Sequence, residues 1–523
     1  MAEAQYIMDY ATLLDAVASG EGDAYGYVNL KRKFDPVFRK NIIHYRNAMV
    51  EKKRNDYFVV PNTEGNVKLV HDHFTNPKWH GHFFARFIPT HLIDVNCDFY
   101  LWDNKVGIYS FERGREVVNI IGDITMYKLY KQFWDIMWGI ALEEPIFFGS
   151  RTSQLTALEK EMYLSPKKVI DLTVSYPSGV NPSWIEKVAE TIPSSFSKAN
   201  PSLMIDRLKE YFTGKFKTGN ALITPTATLS LLIAADTCLE TPGDEFIIFQ
   251  PGYESYPHIV RSEGGNIVYA KRKNNLHPDI DDLRSKITKR TVAIIITLPE
   301  NPFGIIYTEK ELREIIGLCV EHGITLIVDS VFYDIIPYGK KMPLVAEFAE
   351  AKKLNYMIIG ETGKILGLDG TKLACITFTE RLEDKLMHKT DNYFFQLPKY
   401  DLYVIDKIVN DKRFSSYIKS FNSLIRENYE YMEDNINPAI KPIKMEGSST
   451  IRLDISKLGI KDIEFMKIMK ERYNLGVAPC SYFYDFAAPD KYNYIRIALG
   501  RPKDQIMKAT KLMNLFAKGF TDC

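Results

Sequence analysis

Lys364 stands in the run Gly360-Glu361-Thr362-Gly363-Lys364-Ile365-Leu366-Gly367, directly after the apolar stretch Tyr356-Met357-Ile358-Ile359. The pattern predicts a strand that ends in a turn carrying a lysine, where a desolvated amine loses basicity and can form an imine with an aldehyde. Other polar residues fall just past apolar stretches. Asp329 closes Ile327-Val328-Asp329, Asn301 lies in Pro299-Glu300-Asn301-Pro302-Phe303-Gly304, and Tyr253 in Gln250-Pro251-Gly252-Tyr253. Thr226, Ala227 and Thr228 open a predicted helix, whose free N–H groups and dipole suit a phosphate. Singly, each has an ordinary explanation: a solvated lysine, a loop aspartate, threonines that cap a helix. Together they match what a flat, phosphorylated, pyridine-based aldehyde requires. A carboxylate pairs with the ring nitrogen, an amide meets the ring hydroxyl, an aromatic ring stacks on the face, a helix N-terminus takes the phosphate, and a lysine forms the imine. A nucleotide-binding P-loop at Gly360–Lys364 is excluded, because the first glycine at the required spacing and a Ser or Thr after the lysine are missing.

The elements that must position these residues follow from residue 165 onward. Ala227 to Leu239 reads as a helix stopped by Thr241-Pro242-Gly243-Asp244. Glu245–Phe249, Thr291–Leu298, Ile324–Val328, Tyr356–Ile359 and Leu373–Phe378 read as buried strands. Thr308-Glu309-Lys310-Glu311 is a capping box that opens a helix ending at His322-Gly323. Strands apolar on both faces and alternating with helices predict an α/β domain with a mostly parallel sheet covered on both sides. In such sheets, ligands sit at the carboxyl ends of the strands.

Residues 1–150 have a different character and hold four of the five tryptophans. Helices are predicted over Tyr6–Val17 and about Asp35–Lys53, a hairpin over Asp98–Trp102 and Val106–Ser110 around Asp103-Asn104-Lys105, and an amphipathic helix over about Thr125–Leu142. The expected organisation is an accessory α+β domain for sensing or interaction at 1–150 and a linker at 151–164. A large domain follows at 165–404, its N-terminal arm contributing to a small α+β domain at 405–523. His71, His73, His80 and His82 have spacing that a metal could use, but solvated or half-buried histidines account for them and no metal is assigned. Trp134 and Trp138 share one helical face, which reads as core or interface.

Composition excludes several classes. A net charge of +1 over 523 residues gives no global field for nucleic acid or anionic membranes. No apolar run approaches the ~18 residues of a membrane span, and Met1-Ala2-Glu3-Ala4-Gln5 lacks the features of a signal peptide. The six scattered cysteines suit a reducing compartment, so a cytoplasmic location is expected.

Residues ~165–523 resemble the class I/II aminotransferases, fold type I enzymes that use pyridoxal 5'-phosphate. The resemblance rests on the run from Ile223 to Tyr253, the Pro299–Gly304 turn similar to the family's Asn-Pro-Thr-Gly, and Asp329, Lys364, Lys372 and Arg496 in the family's order. It implies Lys364 as the Schiff-base lysine and Asp329 as the pyridinium partner. Thr226, Ala227, Thr228 and Lys372 would hold the phosphate, Lys372 in a place usually taken by arginine. Tyr253 and Asn301 would contact the ring, and Arg496 would hold a substrate carboxylate, for which arginine's planar fork is suited. It also implies an amino acid and a 2-oxo acid as substrates, and a homodimer. Three departures accompany it. Phe332 stands where the family has a tyrosine, with Tyr333 next to it and expected on the other face. Glu361 and Gly363 replace serines, so Glu361 is expected to point away from the phosphate or to pair with Lys372. The tyrosine contributed across the dimer has no clear counterpart, Phe196 being the nearest residue. A lyase, decarboxylase or racemase on the same fold is the alternative chemistry, and an aminotransferase-like transcription regulator with a basic helix near Arg32–Arg54 is the alternative class.

Overall fold

A computed structural model of the chain describes residues 4–7, 10–29, 36–62, 66, 70, 82–88, 93, 97–112, 115–141, 151–163, 165, 169–192, 194–241, 243–368, 370–484 and 493–521. The chain divides into two compact units, Met1–Ser150 and Arg151–Cys523. Among the described residues no helix is long and apolar enough to cross a membrane.

The first unit is built on strands β1 (Ala4–Ile7), β2 (Ala24–Tyr27), β3 (Asp56–Pro61), β4 (Phe83–Ile88), β5 (Cys97–Trp102), β6 (Lys105–Glu112) and β7 (Arg115–Ile121), ordered β1-β7-β6-β5-β2-β3-β4. Asp103 and Asn104, both at positive φ, make the two-residue β5–β6 turn, a backbone twist that matches the strands it joins. Alternation along β5 sends Trp102 to one face, against Tyr10, Leu13 and Val17, and Leu101 to the other, against Trp134 and Met137. The helices Tyr10–Ser19 and Pro36–Glu51 cover the first face, and Ile124–Ile140, capped by Asp123, covers the second. The helix expected from Tyr6 starts later, because Tyr6 and Ile7 pair with β7 instead. Trp134 and Trp138 stack at 4.9 Å, and the Trp134 indole donates to Gly26 O at 3.0 Å, so this pair is core. Among the described residues no cluster suits a metal. His82 bonds Arg54 O through Nδ1, while His71, His73 and His80 lie outside the described residues.

The second unit begins with a correction. The stretch expected to be a linker is the helix Arg151–Tyr163, and Leu155, Leu158 and Met162 join the unit's main core. These three recur at helical spacing, a signal weakened by the polar residues between them. After β8 (Ile170–Asp171) come β9 (Asn220–Thr224), β10 (Glu245–Gln250), β11 (Asn266–Lys271), β12 (Thr291–Thr297), β13 (Thr325–Asp329), β14 (Tyr356–Glu361) and β15 (Ala374–Phe378). The last seven form one sheet, ordered β11-β10-β12-β13-β14-β15-β9, in which only β15 runs antiparallel to its neighbours. All of β13 and β14 is buried, as expected for a sheet covered on both faces. The capping box at Thr308 and Glu311 and the left-handed Gly323 bound the helix Glu309–His322. β16 (Lys441–Ile443), β17 (Thr450–Asp454), β18 (Leu475–Gly476), β19 (Ala478–Pro479) and β20 (Tyr494–Ala498) complete the chain. β16-β17-β20-β19 form a small antiparallel sheet, and β18 pairs with β8.

Candidate active site

The parallel strands deliver their chemistry at one end. β13 ends on Asp329, which is buried. Its Oδ2 accepts from the Tyr256 hydroxyl at 2.8 Å and its Oδ1 from Val331 N at 3.2 Å. Burial pushes the Asp329 carboxyl up to about 6, against the opposing pull of Tyr256, Val331 N–H and Lys364. Among the described residues no lysine or arginine nitrogen lies within 4.0 Å of it. Tyr256 also bonds Thr297 at 2.7 Å and meets Tyr253 edge-on, ring centroids 5.2 Å apart. Tyr253 and Tyr256 share a face because they are three residues apart where the chain enters the helix Ser255–Ser262.

β12 leads into the Pro299–Gly304 turn, which a buried ion pair fixes. Arg272 donates to Glu300 Oε1 at 3.0 Å, to Pro251 O at 2.9 Å and to the Tyr307 hydroxyl at 3.1 Å, while Glu300 Oε2 accepts from Phe303 N. The turn holds Asn301 so that its Oδ1 accepts from Arg496 Nη1 at 3.3 Å. Arg496, on β20 and 2 % exposed, also donates to Thr173 O, while its Nε has no hydrogen-bond partner among the described residues.

Lys364 follows β14. Its Nζ donates to the Ser175 hydroxyl at 3.1 Å and lies 5.7 Å from the Phe332 ring and 5.8 Å from the Tyr176 ring. Tyr333 instead packs edge-on against Phe216, so it does not stand in for Phe332 at the lysine. The segment carrying Thr173 and Ser175 is pinned by Arg501, whose buried guanidinium donates to Asp171 O, Val174 O and Tyr176 O.

At the same edge, just past β9, Thr226 caps the helix Ala227–Cys238 through Leu229 N, and Thr228 is exposed. Glu361 does not point away. Its Oε1 accepts from Ala227 N at 3.1 Å and lies 3.7 Å from Lys372 Nζ. A carboxylate therefore stands where an incoming phosphate would find the helix N–H and the amine, marking the place as an anion site. The residues present thus fit pyridoxal phosphate: an amine bonded to a hydroxyl, a buried carboxylate at a neighbouring strand end, and a helix start that binds an anion. Phe196 lies against Tyr403, at 5.5 Å, and under Lys399, and contributes nothing to this set.

Several members of the site carried no usable sequence signal. Glu159, from the helix Arg151–Tyr163, places Oε1 3.5 Å from Arg496 Nη2. Its side chain is 29 % exposed, yet burial raises its carboxyl pKa in spite of Arg496 and Lys364. Glu254 is pushed up to about 7 by burial, opposed by Arg496 and reinforced by Glu159. Ser175, Tyr176, Thr173 and Arg501 were equally invisible. Only Tyr256, three residues from Tyr253, had a spacing that could have flagged it.

Solved structures share this fold. An aspartate aminotransferase from Thermus thermophilus with maleate superposes with a TM-score of 0.60 at 18 % identity, covering 70 % of this chain and 96 % of that one. An aromatic aminotransferase from Pyrococcus horikoshii OT3 gives 0.57 at 19 % identity, covering 69 % and 99 %. These likenesses define the fold, the fold type I architecture. Among curated relatives, an aspartate aminotransferase from Bacillus sp. (strain YM-2) is 27 % identical over 390 residues, 71 % of this chain and 96 % of that protein. Kynurenine–oxoglutarate transaminase 3 from Rattus norvegicus is 30 % identical over 275 residues, 47 % of this chain and 60 % of that protein. The profile of aminotransferase class I and II matches residues 167–511, and the chain belongs to that family.

Proposed function

We propose that this aminotransferase holds pyridoxal 5'-phosphate between Lys364, Asp329, Tyr253, Asn301, Lys372 and the start of the helix Ala227–Cys238, and moves an amino group between an amino acid and a 2-oxo acid. Bound there, the cofactor supplies an aldehyde that condenses with an amine, releasing water, and a ring that draws electrons from the bond being broken. The observation that carries the reading is the convergence of Lys364, Asp329 and Asn301 at three neighbouring strand ends, with Arg496 bonded to Asn301.

In this reading Lys364 Nζ would anchor the cofactor and would also serve as the base that takes and returns the substrate's α proton. Asp329 keeps the ring nitrogen protonated, with Tyr256 fixing its carboxylate. Tyr253 would stack on the ring, and the Asn301 side-chain N–H₂ would meet the ring hydroxyl while its oxygen steadies Arg496. Arg496 grips the substrate's α-carboxylate. Phe332 supplies an apolar wall in place of a hydroxyl, leaving Ser175 as the hydroxyl partner of the lysine. The active species is read as a homodimer on the family likeness, with equilibrium sedimentation as its check. The unpaired, buried Cys238, Cys319, Cys375 and Cys480 support a cytoplasmic location.

Elimination, decarboxylation and racemisation are not favoured, since the relatives above are transaminases, and neither is a regulator, since the chain spans nearly the whole length of a catalytic relative. The test is the near-ultraviolet and visible absorbance of the purified protein with pyridoxal phosphate, before and after a panel of amino acids. A lysine-bound chromophore that Lys364→Ala abolishes, converted to the amino form by one donor and restored by a 2-oxo acid, is expected. A spectrum unchanged by Lys364→Ala refutes the assignment.

A further inference from the structure

The helix start that should receive the cofactor's phosphate already carries an anion of the protein's own. Glu361 closes β14 three residues before Lys364 and is 5 % exposed. Its Oε1 takes Ala227 N at 3.1 Å and lies 3.7 Å from Lys372 Nζ. The side chain is boxed in: a Cβ added to Gly363 would come within 3.2 Å of Glu361 Oε2 and 2.9 Å of Lys372 Cδ. The two donors best suited to a phosphate, a first-turn helix N–H and a lysine amine, are thus held by one carboxylate. The local formal charge of Glu361 and Lys372 sums to zero, leaving no surplus positive charge to offset a phosphate dianion. A second anion brought to the same donors meets a like charge at a few ångströms in a buried setting, where repulsion outweighs one hydrogen bond.

We propose that Glu361 is a resident anion competing with the cofactor's phosphate for the helix Ala227–Cys238 and Lys372, so that this protein holds its cofactor chiefly through the ring contacts and Lys364 and distinguishes weakly between the phosphorylated and dephosphorylated aldehyde. The proposal rests on the cofactor reading above. It makes the phosphate end the weak end of the site, and it assigns that weakness to one side chain.

The test compares binding of pyridoxal phosphate and of pyridoxal, each by equilibrium dialysis against the cofactor-stripped full chain. Wild type, Glu361→Ser, Glu361→Gln and Lys364→Ala are measured. The readout is the ratio of the two dissociation constants, which isolates the phosphate's contribution from that of the ring and the lysine. Glu361→Gln keeps an acceptor for Ala227 N and so preserves the local hydrogen bond, which guards against a folding defect; circular dichroism and the thermal midpoint verify it. Removing the charge is expected to raise the preference for the phosphorylated form at least about tenfold in both Glu361 variants, with the affinity for pyridoxal little changed. A rise in the serine variant alone also supports the proposal, assigning the competition to occupancy more than to charge. A ratio unchanged in both variants, or lowered, overturns it, the latter making Glu361 an organiser of the phosphate site. If neither compound binds wild type and Lys364→Ala makes no difference, the cofactor reading itself fails, a result distinct from an unchanged ratio.

Discussion

Replacing Glu159 by glutamine is expected to tighten binding of carboxylate ligands at Arg496. The pair stands at 3.5 Å, for which the bare Coulomb attraction is roughly 5 kcal/mol at an effective dielectric of 20. Much of that is lost. The Glu159 side chain is 29 % exposed, Nη2 already donates to Thr173 O, and the carboxyl pKa is raised, so burial costs the carboxylate more than Arg496 returns. About 1–2 kcal/mol remains as the amount a substrate carboxylate must overcome to displace Glu159, or roughly a 5- to 30-fold change in Kd. The assay is calorimetric titration of the cofactor-supplemented protein with a non-reacting dicarboxylate, alongside steady-state kinetics. Glu159→Gln should lower Kd and KM within that range while kcat changes little, the signature of altered ground-state binding. In the Arg496→Lys background the effect of Glu159→Gln should largely vanish, because the two residues act on one interaction. An unchanged Kd in Glu159→Gln, or a weaker one, would show that the glutamate is indifferent or holds Arg496 in its productive orientation, and the reasoning would be wrong.

The raised carboxyls set a pH dependence: Asp329 titrates near 6 and Glu254 near 7 in the fold, against about 4 when unfolded. The native state then keeps protons that the unfolded chain releases, so cofactor-free protein should lose stability as pH rises from about 4 to 7, Asp329 alone contributing on the order of 3 kcal/mol. Thermal midpoints across that range check this, and added pyridoxal phosphate should reduce the loss by giving Asp329 a cation. Arg501→Lys replaces four guanidinium–carbonyl bonds with a point charge and should cost about 2–4 kcal/mol. Denaturant unfolding measures the loss, and kcat/KM should fall with it because Thr173 and Ser175 shift. Trp134→Ala in the first unit removes a buried ring stacked on Trp138 and bonded to Gly26 O and should destabilise that unit by about 3–5 kcal/mol. Its unfolding transition is followed by tryptophan fluorescence, with transamination little affected at temperatures where both forms stay folded.

Which residues follow strands can be read from the order of residues alone. Asp329, Asn301 and Lys364 could be placed because uninterrupted apolar runs announce buried parallel strands, and the polar residues just past such a run stand at the sheet's carboxyl edge. The β5–β6 hairpin and the helix Glu309–His322 were legible for a similar local reason, since turn and cap chemistry is written within a few residues. Only the tertiary structure decided what approaches that edge from elsewhere. Glu159 reaches Arg496 from a helix 337 positions earlier in the chain, and Glu361 turns onto Ala227 across 134 positions. Glu159 carries no local periodicity or spacing that predicts its partner, and for Glu361 the sequence suggested Lys372 but not Ala227. The geometry comes from packing Leu155, Leu158 and Met162 into the core and from the register that sets β14 beside β15 and β15 beside β9. Charge pairs made by long-range packing are set by where elements dock, and docking is a property of the whole sheet and its covering helices.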